Sequence, residues 1–227
     1  MCARYSLFAA PEDIQSLFEL QTVPELAPKF NIAPTSQVLL VREEEAGRSA
    51  SFARWGLVPS WAKDESIGVR MINARSETLL EKPAFRSAAK RRRCLIPASG
   101  FYEWTEVEGK KQPFLIASTT GELLAFAGLW EEWSSPDGDL TTCTIITCEA
   151  NRKISDLHDR MPVILSQEDF ETWLDAEGHS APEAAELLVP YPDDLLTTVA
   201  VDPRIGNVRF QERPEPVSTY KQQGLFG

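Results

Sequence analysis

Histidine is nearly missing from this chain. Only His158 and His179 occur in 227 residues, so proton traffic near neutral pH has little imidazole to draw on. Cysteine is also scarce. Cys2, Cys94, Cys143 and Cys148 follow no zinc-ligand spacing, and neither a metal nor any other cofactor is expected. Cys143 and Cys148 stand five apart in a candidate strand. Period-2 alternation turns them to opposite faces, which argues against a shared metal or a local disulfide. No apolar run nears the length of a membrane span. The first residues lack a basic stretch followed by an apolar core, so a cytoplasmic chain without a membrane partner is expected. Internal repeats, linkers and strand–helix alternation are missing as well, and the last absence disfavours a parallel α/β sheet.

The composition is ordinary for a globular protein: 43% of residues are hydrophobic and 25% charged. The length suits one domain, 1–227, able to bury a core without staples. A net charge of −11 looks hostile to nucleic acid. The acid is unevenly placed, however. Residues 1–100 hold 14 basic and 11 acidic side chains, and residues 101–227 hold 9 and 23. An anionic ligand can therefore still meet a local basic surface. The basic run at 90–93, taken alone, reads as a solvated face.

Pattern and punctuation predict a short amphipathic helix at 11–20, a loop at 30–35, and a hairpin from 36–42 and 50–58. An irregular connection at 59–72 follows, then a short helix from Thr78 and a helical turn at 84–90 after Pro83. Strands are expected at 94–97, 100–106, 112–118, 123–131 and 142–148, with hairpin-like turns between them. One helical turn at 151–157, a strand at 163–165, helices at 167–176 and 181–188, and a strand at 196–201 complete the list. Residues 203–227 read as a loose, Pro-containing segment. The fold class is α+β: a largely antiparallel, curved or barrel-like sheet with short peripheral helices.

What the chain does have is a cysteine at position two. A small second residue favours removal of the initiator methionine, which would leave Cys2 with a free α-amine beside its thiol. Such a 1,2-aminothiol condenses with aldehydes. The amine forms an imine and the sulfur closes a five-membered thiazolidine. Ordinary values of about 7.7–8.0 for the amine and about 8.5 for the thiol leave useful fractions of both nucleophiles near neutrality. The plainer reading is a small buried hydrophobe.

Several other residues fit such chemistry, each with a bland alternative. Imine formation expels water and needs an acid, a role Glu103 fits if buried between Tyr102 and Trp104; otherwise it is a solvent-facing strand carboxylate. His158 can carry a proton near neutrality or be structural. Asn73 offers both donor and acceptor or shapes a turn. Arg75, two residues on, shares its face if the segment is extended, as a phosphate clamp would. Trp61 and Trp104 can stack on bases, each contact contributing about 1–3 kcal/mol. Trp55, Trp130, Trp133 and Trp173 are expected in the core.

The segments MCARY (1–5), FNIAP (30–34), WGLVP (55–59) with Trp61, INARSET (72–78), RCLIP (93–97), GFYEW (100–104), KQPF (111–114), AGLWE (127–131), TCEAN (147–151) and HDRMP (158–162) occur in this order. As an ordered set they resemble the SRAP (SOS response-associated peptidase) family across nearly the whole chain. The resemblance implies an abasic-site sensor that binds single-stranded DNA and captures the sugar aldehyde as a thiazolidine crosslink. On this pattern Cys2 crosslinks, and Asn73, Glu103 and His158 complete the catalytic set. Arg4, Arg75 and Arg160 contact phosphate, and Trp61 and Trp104 lie near the strand. The resemblance also implies a bacterial, nucleoid-associated protein. Ala3 departs from the family's usual glycine. Two other activities fit the same residues: an N-terminal-nucleophile thiol peptidase, and a non-catalytic DNA-binding module.

Overall fold

The computed structural model describes residues 2–136 and 138–217, and its strands are β1 (Tyr5–Leu7), β2 (Lys29–Ile32), β3 (Gln37–Glu44), β4 (Gly47–Trp55), β5 (Asn73–Arg75), β6 (Arg93–Ala98), β7 (Gly100–Val107), β8 (Lys110–Ser118), β9 (Leu124–Ser135), β10 (Gly138–Glu149), β11 (Arg160–Pro162) and β12 (Leu196–Ala200). The helices are short: α1 (Pro11–Phe18), α2 (Arg86–Arg91), α3 (Arg152–Ser155), α4 (Phe170–Leu174) and α5 (Ala181–Ala185). The class is α+β, with a barrel at its centre. Strand β10 pairs with β4, β4 with β3, β3 with β6, β6 with β9, and β9 returns to β10. Only the β10–β4 join in this ring is parallel. Closure removes the unpaired edges that an open sheet would expose. Buried stretches in β3, β6, β9 and β10 fill it; every residue of β6 is buried.

A second sheet, ordered β12–β8–β7–β1–β2, packs on the barrel. The Tyr5 ring meets Trp55 edge-on at 5.4 Å and Phe126 at 5.9 Å, and Phe101 meets Phe126 at 5.9 Å. Edge-to-face pairs of this kind contribute about 0.5–1.5 kcal/mol each beyond the area they bury. The amino-terminal strand is thus an inner member of this sheet. It lies between β7 and β2, with Tyr5 opposite Phe101 and the Tyr102 amide donating to the Arg4 carbonyl at 2.9 Å. Two residues past Phe101 on the same strand stands Glu103.

The far end of β10 receives two short strands. β5 runs parallel to it (Ile145 opposite Asn73, Thr147 opposite Arg75), and β11 runs antiparallel (Thr147 opposite Pro162, Glu149 opposite Arg160). The loop between β4 and β5 depends on two glycines that face one another. Gly56 has φ of +131°, and a Cβ there would sit 2.6 Å from the Gly68 carbonyl oxygen. A Cβ on Gly68 would sit 2.5 Å from that of Gly56. With both side chains absent, the chain crosses itself, and the Leu57 amide reaches the Met71 carbonyl at 3.1 Å. This crossing sets the entry of β5 and therefore the position of Asn73.

Several expectations need correction. The 30–35 loop contains β2, because Ile32 pairs with Tyr5. The strand expected at 163–165 is displaced to Arg160–Pro162, where the end of β10 offers a partner; Ile164 makes only an isolated bridge to Phe126. Trp55 and Trp173 are core, but Trp130 and Trp133 are only half-buried. The Trp133 indole N–H instead donates to the Ala62 carbonyl at 2.8 Å, beside Trp61. Residues 203–217 are not loose. Ile205 is fully buried, and Val201 bridges Pro216. Residues 218–227 lie outside the described residues.

Gly56→Ala is expected to lower unfolding stability by at least about 2 kcal/mol, since a left-handed φ and a backbone overlap act together. A shift of the urea midpoint at unchanged slope measures it.

Candidate active site

The strand arrangement brings three distant segments together. β1 delivers Cys2, β7 delivers Glu103, and β5 delivers Asn73. The Asn73 Nδ2 donates to the Cys2 carbonyl oxygen at 2.8 Å. Its other side-chain atom, Oδ1, is buried and has no hydrogen-bond partner among the described residues. An amide in this position holds the backbone with one end and keeps an acceptor for another donor at the other.

Cys2 is fully buried, with 0% of its surface exposed, in a chain that carries Met1. An accessible sulfur is therefore not what the unprocessed chain presents. The Sγ lies 3.9 Å from the Arg4 carbonyl. Burial pushes the thiol far above its ordinary range, and the Glu103 carboxylate adds to the shift. No standing thiolate exists here near neutral pH.

Glu103 is 4% exposed. Burial pushes its carboxyl up to about 7; the amino-terminal charge pulls it down and Asp159 pushes it up. At neutral pH both of its protonation states are populated, as a group that gives and then takes a proton requires. The solvent-facing alternative for this residue is ruled out by its burial.

His158 follows α3, whose first turn Asn151 caps by accepting from the Ile154 amide at 3.1 Å. The Arg160 amide points at the His158 Nδ1 from 2.9 Å, and Asp159 Oδ1 lies 2.8 Å from the same atom. An amide can only donate, so Nδ1 accepts and the proton of the neutral ring sits on Nε2. The carboxylate contact becomes an ion pair only when the ring is protonated. Burial, with the amino-terminal charge, holds the His158 pKa below the ordinary value despite Asp159, which favours the neutral ring.

The arginines divide. Arg75 is exposed. Arg160 is 8% exposed, and its guanidinium is already engaged: Nη1 and Nη2 donate to Glu77 at 2.6 and 3.0 Å, and Nη2 to the Thr147 carbonyl at 2.6 Å. In this arrangement it is a clamp joining β10, β11 and the turn after β5, not an open phosphate contact. Arg4 is half-buried and donates to Asn31 Oδ1 at 2.6 Å and to the Ile205 carbonyl at 3.1 Å. Its guanidinium also lies over the half-buried Trp104 ring, 5.8 Å from the centroid.

Trp61 is 60% exposed. It borders a cavity of about 430 Å³ lined also by Met71, Asn73, Arg75, Thr78 and Lys82. Asn73 and Arg75 thus share one cavity, as an extended segment requires. A larger cleft of about 950 Å³ opens between α1 and β8, away from these residues. Sequence reasoning missed Thr78 and Lys82 on the cavity wall, and Asn31. The Asn31 Nδ2 reaches the Ile205, Asn207 and Phe210 carbonyls, fixing the segment that looked loose. The one available signal was its place in FNIAP. His179 pairs with Glu183 at 2.8 Å and lies outside the site. Among the described residues, no three His, Cys, Asp or Glu side chains gather to hold a metal ion, and no helix is long and apolar enough to cross a membrane.

Residues 1–208 match the family of SOS response associated peptidases (SRAP), and the chain belongs to that family. It is 41% identical over 225 residues to the abasic site processing protein YoqW of Bacillus subtilis (strain 168), covering 97% of this chain and 100% of that protein. The abasic site processing protein YoaM of the same organism is 45% identical over 212 residues, covering 91% of this chain and 93% of its own length. A crystal structure of a protein from Bacteroides thetaiotaomicron superimposes with a TM-score of 0.81 at 25% identity, covering 89% of this chain and 93% of that one.

A carbon-13 titration of the Glu103 carboxyl is expected to show a midpoint of about 7 rather than the ordinary 4.5. Between those two pH values the unfolded chain has released this proton while the folded chain retains it. Stability therefore falls as pH rises through that window. In Glu103→Gln this part of the pH dependence should vanish from urea-unfolding curves.

Proposed function

We propose that this protein processes abasic sites in single-stranded DNA, using Cys2 after Met1 has been removed. The observation that carries the proposal is the convergence of a position-two cysteine, held at its carbonyl by Asn73, with a buried carboxyl of pKa about 7. The names of YoqW and YoaM support its coarser part, the processing of abasic sites.

Excision of Met1 converts the Cys2 backbone nitrogen from an amide to an amine. The ring-opened sugar of an abasic site carries an aldehyde. The amine attacks its carbonyl carbon and forms a carbinolamine. Protonated Glu103 gives its proton to the hydroxyl, which leaves as water, and an iminium that keeps its N–H remains. The thiol then adds to the iminium carbon. Its proton passes to ionised Glu103, and the nitrogen becomes the neutral ring amine. The sum is aldehyde plus aminothiol giving thiazolidine and one water. The Nε2–H of neutral His158 hydrogen-bonds the sugar ring oxygen as the ring opens, the anomeric hydroxyl losing its proton to water while the ring oxygen takes one up. The Asn73 Oδ1 receives a hydrogen bond from the new amine or a sugar hydroxyl. Arg75 meets a phosphate, and Trp61 offers a face for base stacking. Arg160 and Arg4 act behind this front by fixing β11 and the 205–210 segment.

Amide hydrolysis by the same sulfur is the weaker reading. An amide carbonyl is a poor electrophile and calls for a thiolate, which the burial of Cys2 opposes. An iminium carbon is reactive enough to accept a thiol that loses its proton during attack.

Intact mass of the purified protein should be one methionine residue below that of the encoded chain. Incubation with single-stranded abasic DNA should give an adduct that survives denaturation without added reductant, and Cys2→Ala should abolish it. Equal adduct yield from Cys2→Ala would overturn the mechanism. Cys2→Ser keeps the amine but closes the ring poorly, so strand cleavage by β-elimination should rise as durable adduct falls.

A further inference from the structure

The basic run that reads as one solvated face is not one in the fold. Arg93 is buried and donates to the Trp173, Asp175 and His179 carbonyls. Arg92 pairs with Glu131 at 2.7 Å. Lys90 is exposed, and with Lys82 and Arg86 it forms a different set. The Lys82 amide bonds back to Thr78, Arg86 to Lys82, Ala89 to Phe85, and Arg92 to Ala88. They describe one turn closing on Lys82, a second from Lys82 to Arg86, and then α2 itself, with Pro83 interrupting the winding between the first turn and the helix. Arg86 and Lys90 lie four apart on one face of α2, and Lys82 stands one turn before them; all three are exposed and form one basic row. Phe85, Ala88 and Ala89 turn the opposite side into the core.

Two features mark this row. None of its three cations makes an ion pair among the described residues, although the chain carries 34 acidic side chains. The nearest acid in sequence is the exposed Glu81. The row is also continuous with the candidate site, because Lys82 lines the same cavity as Trp61, Asn73 and Arg75.

We propose that Lys82, Arg86 and Lys90 form a phosphate track that carries the DNA backbone away from the lesion cavity along α2. The proposal rests on the functional reading above and extends it to the flank of the lesion. Flexible cations neutralise phosphates without reading bases, so the track adds affinity and salt dependence but no sequence preference. Its ligand is a nucleic-acid backbone, from either a single-stranded or a duplex flank.

The test uses the processed full-length protein and lesion-free DNA, so that only reversible binding is measured. Binding is followed against salt for a short oligonucleotide filling the cavity alone, a long single strand, and a strand with a duplex flank. The variant Lys82→Gln/Arg86→Gln/Lys90→Gln is compared with Arg91→Gln, which removes a cation about 140° around α2 from Arg86. All four side chains are exposed, so each variant should keep the wild-type melting temperature. The triple variant should lower the slope of log K against log salt by about 2 on the long strand, at about 0.7 per lost single-strand contact. On the short oligonucleotide the loss should be confined to Lys82, less than half as large. A larger loss on the duplex-flanked strand assigns the track to duplex. An unchanged slope on both long substrates overturns the proposal, as does an equal loss from Arg91→Gln. If the track is seen but wild-type protein forms no adduct with abasic DNA, the track stands and the functional reading falls.

Discussion

One hydrogen bond, from Asn73 to the carbonyl of Cys2, joins the two halves of this molecule where they meet. Asn73 belongs to the barrel's extension and Cys2 leads into the second sheet. Neither partner could be placed without the rest of the fold. β5 exists because β10 outruns β4 and leaves a free edge, and its entry is set by the crossing at Gly56 and Gly68. Cys2 is held because the next residues are an inner strand and not a tail. An amino terminus built in this way is positioned by sheet pairing before any ligand arrives. Preorganisation of this kind lowers the entropy that a bimolecular condensation would otherwise have to lose.

The same construction accounts for the unusual acid. A carboxyl on a strand between two aromatic neighbours would ordinarily face solvent on one side of the sheet. Glu103 does not: it is buried, close enough to the amino terminus and to Asp159 for both charges to act on its carboxyl. Its raised pKa is a consequence of that burial, which the nearby amino-terminal charge partly opposes. The site also opposes ionisation of the sulfur beside it. Two acids buried close together cannot readily both be charged, so the thiol keeps its proton when Glu103 is ionised.

Much of this was legible in the sequence. The central strands 94–97, 100–106 and 142–148 read correctly because β-branched and aromatic runs were bounded by strong turn residues. The α+β class followed from their dominance. Less legible were elements whose structure depends on a distant partner. β1, β2 and β5 are three or four residues long and carry no periodicity of their own. The strand expected at 163–165 was displaced because β10, not local propensity, decides where pairing occurs. Among the site residues, motif order singled out Asn73, Glu103 and His158. It could not separate arginines that face outward from those already engaged, since Arg75 and Arg160 look alike as letters. Only the position of Glu77 and of the Thr147 carbonyl distinguishes them.

That distinction bears on how an acidic protein handles a polyanion. A net charge of −11 gives a repulsive far field, and salt screens it beyond about 8–10 Å. Inside that distance local arrangement decides. Two exposed carboxylates in the adjoining segments are directed at a cation or an amide: Glu77 at Arg160, and Asp64 at the Ser66 amide. The cations left over are therefore more effective than the net charge suggests, since no intramolecular partner must be displaced before a phosphate can bind. Arg75 at the cavity, and the row that begins with Lys82, are of this kind. In the proposed mechanism, acid elsewhere on the surface acts against nonspecific adhesion to intact nucleic acid, and the covalent step, which needs an aldehyde, supplies the selectivity that backbone contacts cannot.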